Sequence, residues 1–87
     1  MDIKELRKQI DTVDHELMGL LEKRMDLCKL IGEEKKVRSL PVYDQAREAE
    51  KLDNIRKSVK NPEYSDYMVR LFSEIMNESK KLQNKLM

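Results

Sequence analysis

Turn-forming and cross-linking residues are scarce in this chain of 87 residues. It contains two glycines, two prolines, one cysteine and no tryptophan, and aromatic residues make up only 5% of it. A sandwich or barrel of short strands needs glycine or proline at its frequent turns, so the composition argues against both folds. The single cysteine, Cys28, excludes an intramolecular disulfide and any zinc site built on two or more cysteines.

Long apolar runs and charge of one sign are also missing. No stretch approaches the roughly 20 apolar residues needed to cross a bilayer, and the opening residues MDIKE do not form a signal peptide. We therefore expect a cytoplasmic protein without membrane contact. The 18 basic and 17 acidic residues are mixed along the chain and leave a net charge of +1. This balance argues against a nucleic-acid-binding surface, but not against a small basic pocket.

Residues that favour helix are abundant, and two prolines divide the chain. Pro41 disfavours helix at Leu40 before it, and Asn61-Pro62 has the pattern of an N-cap followed by the first helical residue. We predict a single all-α domain over residues 1–87. Its three helices, one long and two shorter, are expected at about residues 3–37, 43–58 and 62–86.

Apolar residues recur at heptad spacing in the first helix. The two rows of this seam are Ile3, Ile10, Leu17 and Ile31, and Leu6, Val13, Leu20 and Leu27. A helix of this length spans about 50 Å, whereas a compact chain of this size is about 30 Å across. We expect a second copy to cover the seam in a helical homodimer. The alternative is a monomer kinked at Gly19 or Gly32.

Polar groups interrupt the apolar faces, and these exceptions indicate a candidate site. Arg24 occupies a seam position, and Lys35 follows eleven residues later on the same face, about 16 Å along the axis. Two long cationic side chains leaning together could close on a small molecule. The alternative is that both extend into water beside the seam.

The third helix repeats the exception. Its stripe is Met68, Phe72, Ile75, Ser79, Gln83 and Leu86. Two polar residues, Ser79 and Gln83, interrupt this stripe at i, i+4 spacing. As alternatives to a site, Ser79 would hydrogen-bond its own helix and Gln83 would reach solvent near the terminus.

The second helix and the start of the first supply the remaining candidates. Asp44, Arg47 and Glu48 project from one side of the second helix, which is also an ordinary surface pattern. Arg7 lies seventeen residues before Arg24, or about 25 Å along a straight helix. One chain therefore cannot bring both arginines to one small ligand, whereas Arg7 of a dimer partner could reach the pocket.

The ordered set of charged and polar residues resembles the all-helical (type II) chorismate mutases over essentially the whole chain. The residues that carry the resemblance are Leu6-Arg7-Lys8-Gln9-Ile10-Asp11, Asp14, Leu17, Arg24, Gly32, Lys35, Pro41-Val42, Asp44, Arg47-Glu48, Glu78-Ser79 and Gln83. No single element is specific, but their order and spacing together are.

The resemblance implies that the chain isomerises chorismate to prephenate in the synthesis of phenylalanine and tyrosine. It also implies an intertwined six-helix homodimer with two equivalent pockets. Arg7 of the partner would bind one substrate carboxylate and Arg24 the other. Lys35 and Gln83 would approach the ether oxygen whose bond breaks.

The resemblance also assigns the remaining four residues. Glu48 and the Asp44 region would hold the ring hydroxyl, Ser79 would support a carboxylate, and Arg47 would lie beside it. The reaction is a unimolecular pericyclic rearrangement, so no metal and no cofactor are expected. Two alternatives remain: a lyase of the same fold that acts on isochorismate, and a coiled-coil dimerisation module that binds no ligand.

Overall fold

The structure, a computed structural model, describes residues 1–86 and consists of helices joined by short connections. Helix α1 spans Ile3–Val37, α2 spans Gln45–Ser58 and α3 spans Ser65–Leu86, with a 3₁₀ turn over Pro62–Tyr64 before α3. The described residues form no strand, so the predicted all-α fold with one long and two shorter helices is confirmed. None of these helices is long and apolar enough to cross a membrane.

Capping residues set where the first two helices begin. The Asp2 carboxylate accepts a hydrogen bond from the backbone N–H of Lys4 at 3.0 Å. The Asp44 carboxylate accepts one from the N–H of Arg47 at 3.0 Å. Each carboxylate satisfies a donor that a first helical turn leaves free. Because Asp44 is a cap, α2 begins at Gln45 and not at the predicted residue 43.

Local features shape the two connections between the helices. After α1, Ser39 adopts φ 56°, in the left-handed region, two residues before Pro41. After α2, the Asn61 side chain accepts a hydrogen bond from the Glu63 N–H at 3.0 Å, as the predicted cap would. The turn that follows is 3₁₀ in type, so the regular α-helix starts at Ser65 and not at residue 62.

Helix α3 packs against both other helices. Its predicted stripe is buried or half-buried at Met68, Phe72, Ile75, Ser79, Gln83 and Leu86. In the described part of the chain, no Cα atom of α1 approaches one of α2 within 8 Å. The buried residues there are Cys28, Gly32, Ile55, Met76 and Gln83.

The apolar seam of α1 is exposed over most of its length. The exposed fraction runs from 48% at Leu17 to 66% at Leu20 across Ile3, Ile10, Val13, Leu17, Leu20, Leu27 and Ile31. The chain measures 54 × 25 × 15 Å, and its radius of gyration is 16.0 Å, against about 12 Å for a compact chain of this length. A single chain therefore leaves most of α1 uncovered.

Candidate active site

A cleft of about 390 Å³ opens where the C-terminal halves of α1 and α3 meet the first turns of α2. Seven of the eight predicted site residues line it: Arg24, Lys35, Asp44, Arg47, Glu48, Ser79 and Gln83. The eighth, Arg7, lies about 25 Å away along α1 and does not reach the cleft of its own chain. The fold thus brings together residues that are up to 59 positions apart, the separation of Arg24 from Gln83.

Arg24 is held in place by α3. Its guanidinium Nη1 donates a short hydrogen bond to the Ser79 hydroxyl and lies 3.6 Å from the Cys28 sulfur. The Ser79 hydroxyl in turn donates to the Ile75 carbonyl at 2.8 Å. Ser79 therefore forms the bond to its own helix that was the alternative to a role in a site. The same hydroxyl oxygen also accepts the bond from Arg24 and so orients the guanidinium. A half-buried guanidinium fixed in this way is suited to bind a carboxylate.

Lys35 reaches the connection between α1 and α2. Its Nζ donates a hydrogen bond to the Val42 carbonyl at 2.7 Å, and its side chain is half-buried. This bond holds the ammonium at the wall of the cleft, whereas the alternative interpretation had it extending into water. An ammonium carries three donors, so Lys35 keeps donors for a ligand while it holds Val42.

Gln83 is the polar residue that α3 buries, with 5% of its surface exposed. Its Nε2 donates to the Cys28 carbonyl at 3.0 Å, so it does not extend to solvent as the alternative had it. An amide nitrogen has two N–H donors, and the second is available to the cleft. Gly32 makes this position possible, because a Cβ there would lie 3.2 Å from the Gln83 Cγ.

The α2 side of the cleft carries the acidic groups. Glu48 forms an ion pair with Lys80 of α3 at 3.0 Å, and the same ammonium lies 4.6 Å from the centre of the Tyr43 ring. Asp44 is occupied as the cap of α2. Arg47 lies at the rim, with 60% of its side chain exposed and Glu50 at 3.9 Å.

The sequence patterns did not predict two lysines that line the cleft, Lys51 and Lys80. They fall on helix positions that resemble ordinary surface charge, and only the fold brings them to the cleft. With them, five cationic side chains face two carboxylates, an excess of three positive charges. Such an excess in a partly enclosed space favours a small molecule with more than one negative charge.

In the described part of the cleft, the Ser79 hydroxyl has no general base beside it. Within residues 1–86, the hydrogen-bond partners of the Ser79 hydroxyl are Arg24 and the Ile75 carbonyl, neither of which is a general base. The same residues contain no group of three or more His, Cys, Asp or Glu that could hold a metal ion. The charged and polar side chains of the lining can supply charge recognition, hydrogen bonding and orientation.

Known proteins share both the sequence and the fold. Residues 6–84 match the family described as chorismate mutase type II. This chain belongs to that family. The resemblance seen in the sequence is thereby confirmed, and it spans all three helices and every predicted site residue, from Arg7 to Gln83.

Members of the family from other organisms agree along most of the chain. The chorismate mutase of Methanocaldococcus jannaschii is 30% identical over 82 residues, which are 93% of this chain and 83% of that protein. The structure of chorismate mutase (form II) from Thermus thermophilus superposes with a TM-score of 0.89 at 34% identity. It covers 94% of this chain and 93% of that one.

Some relatives are much longer than this chain. The bifunctional chorismate mutase/prephenate dehydratase of Aquifex aeolicus is 35% identical over 89 residues. That match takes in 98% of this chain but only 25% of the relative. This chain therefore corresponds to a quarter of the length of that relative.

Proposed function

We propose that this chain converts chorismate into prephenate by a pericyclic Claisen rearrangement, a step in the synthesis of phenylalanine and tyrosine. The observation that carries the proposal is the single cleft in which seven residues of the family pattern converge with an excess of positive charge. Family membership supports it, as do the chorismate mutases among the relatives. Chorismate carries two carboxylates and a ring hydroxyl, and within this cleft Arg24 matches one carboxylate and Glu48 matches the hydroxyl.

In the proposed mechanism the protein binds a reactive conformer of chorismate and stabilises its transition state. Arg24, already oriented by Ser79, binds one carboxylate, and Arg47 lies beside this contact. Glu48 and the Asp44 region accept the ring hydroxyl. Holding the flexible dianion in the folded geometry that reacts is an orientation effect.

Charge develops on the ether oxygen as its bond to carbon breaks. Lys35 and Gln83 donate hydrogen bonds to that oxygen, Lys35 from its ammonium and Gln83 from the amide N–H that Cys28 leaves free. One well-placed donor typically contributes about 3–4 kcal/mol to such a transition state, or roughly 10²–10³ in rate. A unimolecular rearrangement transfers no group to the enzyme, so the mechanism uses no nucleophile, metal or cofactor.

We infer that the active form is a homodimer in which α1 crosses its counterpart and Arg7 enters the partner's cleft. The exposed seam of α1 and the 54 Å length of the chain support this inference. Arg7 would then bind the second carboxylate, which the cleft of one chain leaves without a dedicated arginine. An intertwined six-helix dimer would contain two such sites. The cytoplasm stays the compartment that we propose, on the grounds given from the sequence.

A direct assay tests the proposal. Purified protein is mixed with chorismate, and the loss of chorismate is followed by its absorbance. Because chorismate and prephenate are isomers of equal mass, the product is identified by its acid-catalysed conversion to phenylpyruvate. Isochorismate is assayed in parallel for pyruvate release. Prephenate as the product supports the proposal, whereas turnover of isochorismate alone would replace it with the lyase alternative. Sedimentation equilibrium over a range of concentrations tests the dimer, and a monomer at all of them contradicts it.

A further inference from the structure

One ion pair of the cleft differs from the other ion pairs of the described chain. Lys80 and Glu48 keep only 29% and 22% of their side chains exposed, whereas the five other pairs in residues 1–86 have exposures of 55% or more. The Lys80 ammonium lies 3.0 Å from one Glu48 oxygen and 3.4 Å from the other. A charge pair withdrawn from water is stronger than an exposed pair and less screened by salt.

The Lys80 ammonium is itself held on a second side. It lies 4.6 Å from the centre of the Tyr43 ring, in the range of a cation–π contact. Tyr43 belongs to the connection between α1 and α2, Glu48 to the first turns of α2, and Lys80 to α3. The ammonium therefore joins three segments at the wall of the cleft.

We propose that Lys80 is a positioning residue, which holds the Glu48 carboxylate in the orientation that receives the ring hydroxyl of the substrate. This inference rests on the proposed function and adds a residue to it. A carboxylate has about four acceptor sites on its two oxygens, so the bond to Lys80 leaves room for a hydroxyl donor. Lys80 touches Glu48 and not the reacting atoms.

The physical basis is the order that Lys80 gives to Glu48 before substrate arrives. A free glutamate side chain rotates about three bonds, and fixing it on binding opposes association. Lys80, which is itself held by Tyr43, already fixes the Glu48 side chain in the unliganded protein, so substrate binding does not have to order it. Because the ring hydroxyl is bound in both the ground state and the transition state, loss of Lys80 should raise KM and leave kcat nearly unchanged.

Lys51 provides a matched control for charge. It lines the same cleft, and no ion pair of Lys51 occurs in the described residues. Lys51→Met and Lys80→Met each remove one positive charge from the cleft. Only Lys80→Met also releases Glu48, so a difference between the two separates positioning from general electrostatic attraction.

The test is a double-mutant cycle on kcat/KM for chorismate. Lys80→Met should lower kcat/KM by about 3- to 10-fold, mainly through KM, the range expected for one side chain that must be ordered on binding. In a Glu48→Gln background the same change should add less than about a twofold loss. Lys80→Arg should retain most of the activity, because it keeps a cation beside Glu48 and Tyr43. Lys51→Met should have the same effect in both backgrounds.

Independent losses from Lys80→Met and Glu48→Gln, or equal effects of Lys80→Met and Lys51→Met, would overturn the inference and leave the mutase proposal intact. Failure of the unmodified chain to convert chorismate would overturn both. Thermal unfolding confirms that each variant is folded. If Lys80→Met does not fold, Lys80→Gln takes its place in the same cycle.

Discussion

A single methyl group at Gly32 should disturb catalysis as well as the fold. Gly32 is buried at the point where α1 meets α3. A Cβ added there would lie 3.2 Å from the Gln83 Cγ and 3.2 Å from the Leu86 Cδ1. These distances are tighter than ordinary van der Waals contact, so Gln83 must move by a few tenths of an ångström in Gly32→Ala.

The size of the effect follows from that displacement. A misplacement of about 1 Å at a catalytic group costs about 10²-fold in rate, so a shift of about 0.3 Å corresponds to about a fourfold loss in kcat. Stability changes through two opposing effects. Alanine gains about 1 kcal/mol over glycine inside a helix, and overpacking costs about 1–3 kcal/mol. Gly32→Ala should therefore lower the free energy of unfolding by up to about 2 kcal/mol.

Gly19 is the matched control, because it lies in the same helix and no atom of residues 1–86 of its own chain lies within 4 Å of an added Cβ. Gly19→Ala should gain stability from the higher helix propensity of alanine, without a steric cost. Its Tm should therefore rise while kcat stays at the wild-type value. The assay is kcat at saturating chorismate together with Tm for both variants. If Gly32→Ala matches Gly19→Ala in both measurements, the close approach does not position Gln83 and the reasoning fails.

Four further variants test the proposed roles. Gln83→Glu places an oxygen against the Cys28 carbonyl, which favours the protonated acid and raises its pKa above the ordinary value of about 4.3. Since the ionised carboxylate has no donor and repels the negative charge that develops on the ether oxygen, kcat should be highest in acid and fall as the pH rises through that pKa. A flat pH profile of kcat would contradict this role. Arg7→Ala and Arg24→Ala should each be inactive alone, whereas mixed heterodimers should regain one intact site. No recovery in verified heterodimers would refute a site shared between chains. Arg24→Leu should lower kcat/KM by at least about 10² without lowering Tm, and full activity in this variant would exclude Arg24 from the site.

Local signals made most of the fold predictable from the sequence. Pro41 marks the end of a helix that the structure places at Ile3–Val37, as predicted. The start of α2 was wrong by two residues, because the sequence does not show whether Asp44 lies inside the helix or caps it. The start of α3 was wrong by three, since an N-cap and a proline precede a 3₁₀ turn as readily as an α-helix.

The site was less predictable wherever it depends on packing between distant segments. Polar residues on apolar stripes, such as Ser79 and Gln83, stand out in a sequence because burial of a polar group requires a partner. Lys80 does not stand out, since it follows Ser79 in a helix rich in charge. The role proposed for Lys80 depends on the path of the connection between α1 and α2, which brings the Tyr43 ring next to the Lys80 ammonium. No local sequence pattern specifies that path.

The small interior of the chain has a consequence for how the protein becomes active. With five buried residues among the 86 described and a bare seam on α1, an isolated subunit has little to hold it together. In the proposed dimer, each subunit would then fold only as it associates with the other. Recovery of activity from denaturant should therefore follow second-order kinetics, slowing in proportion as the sample is diluted.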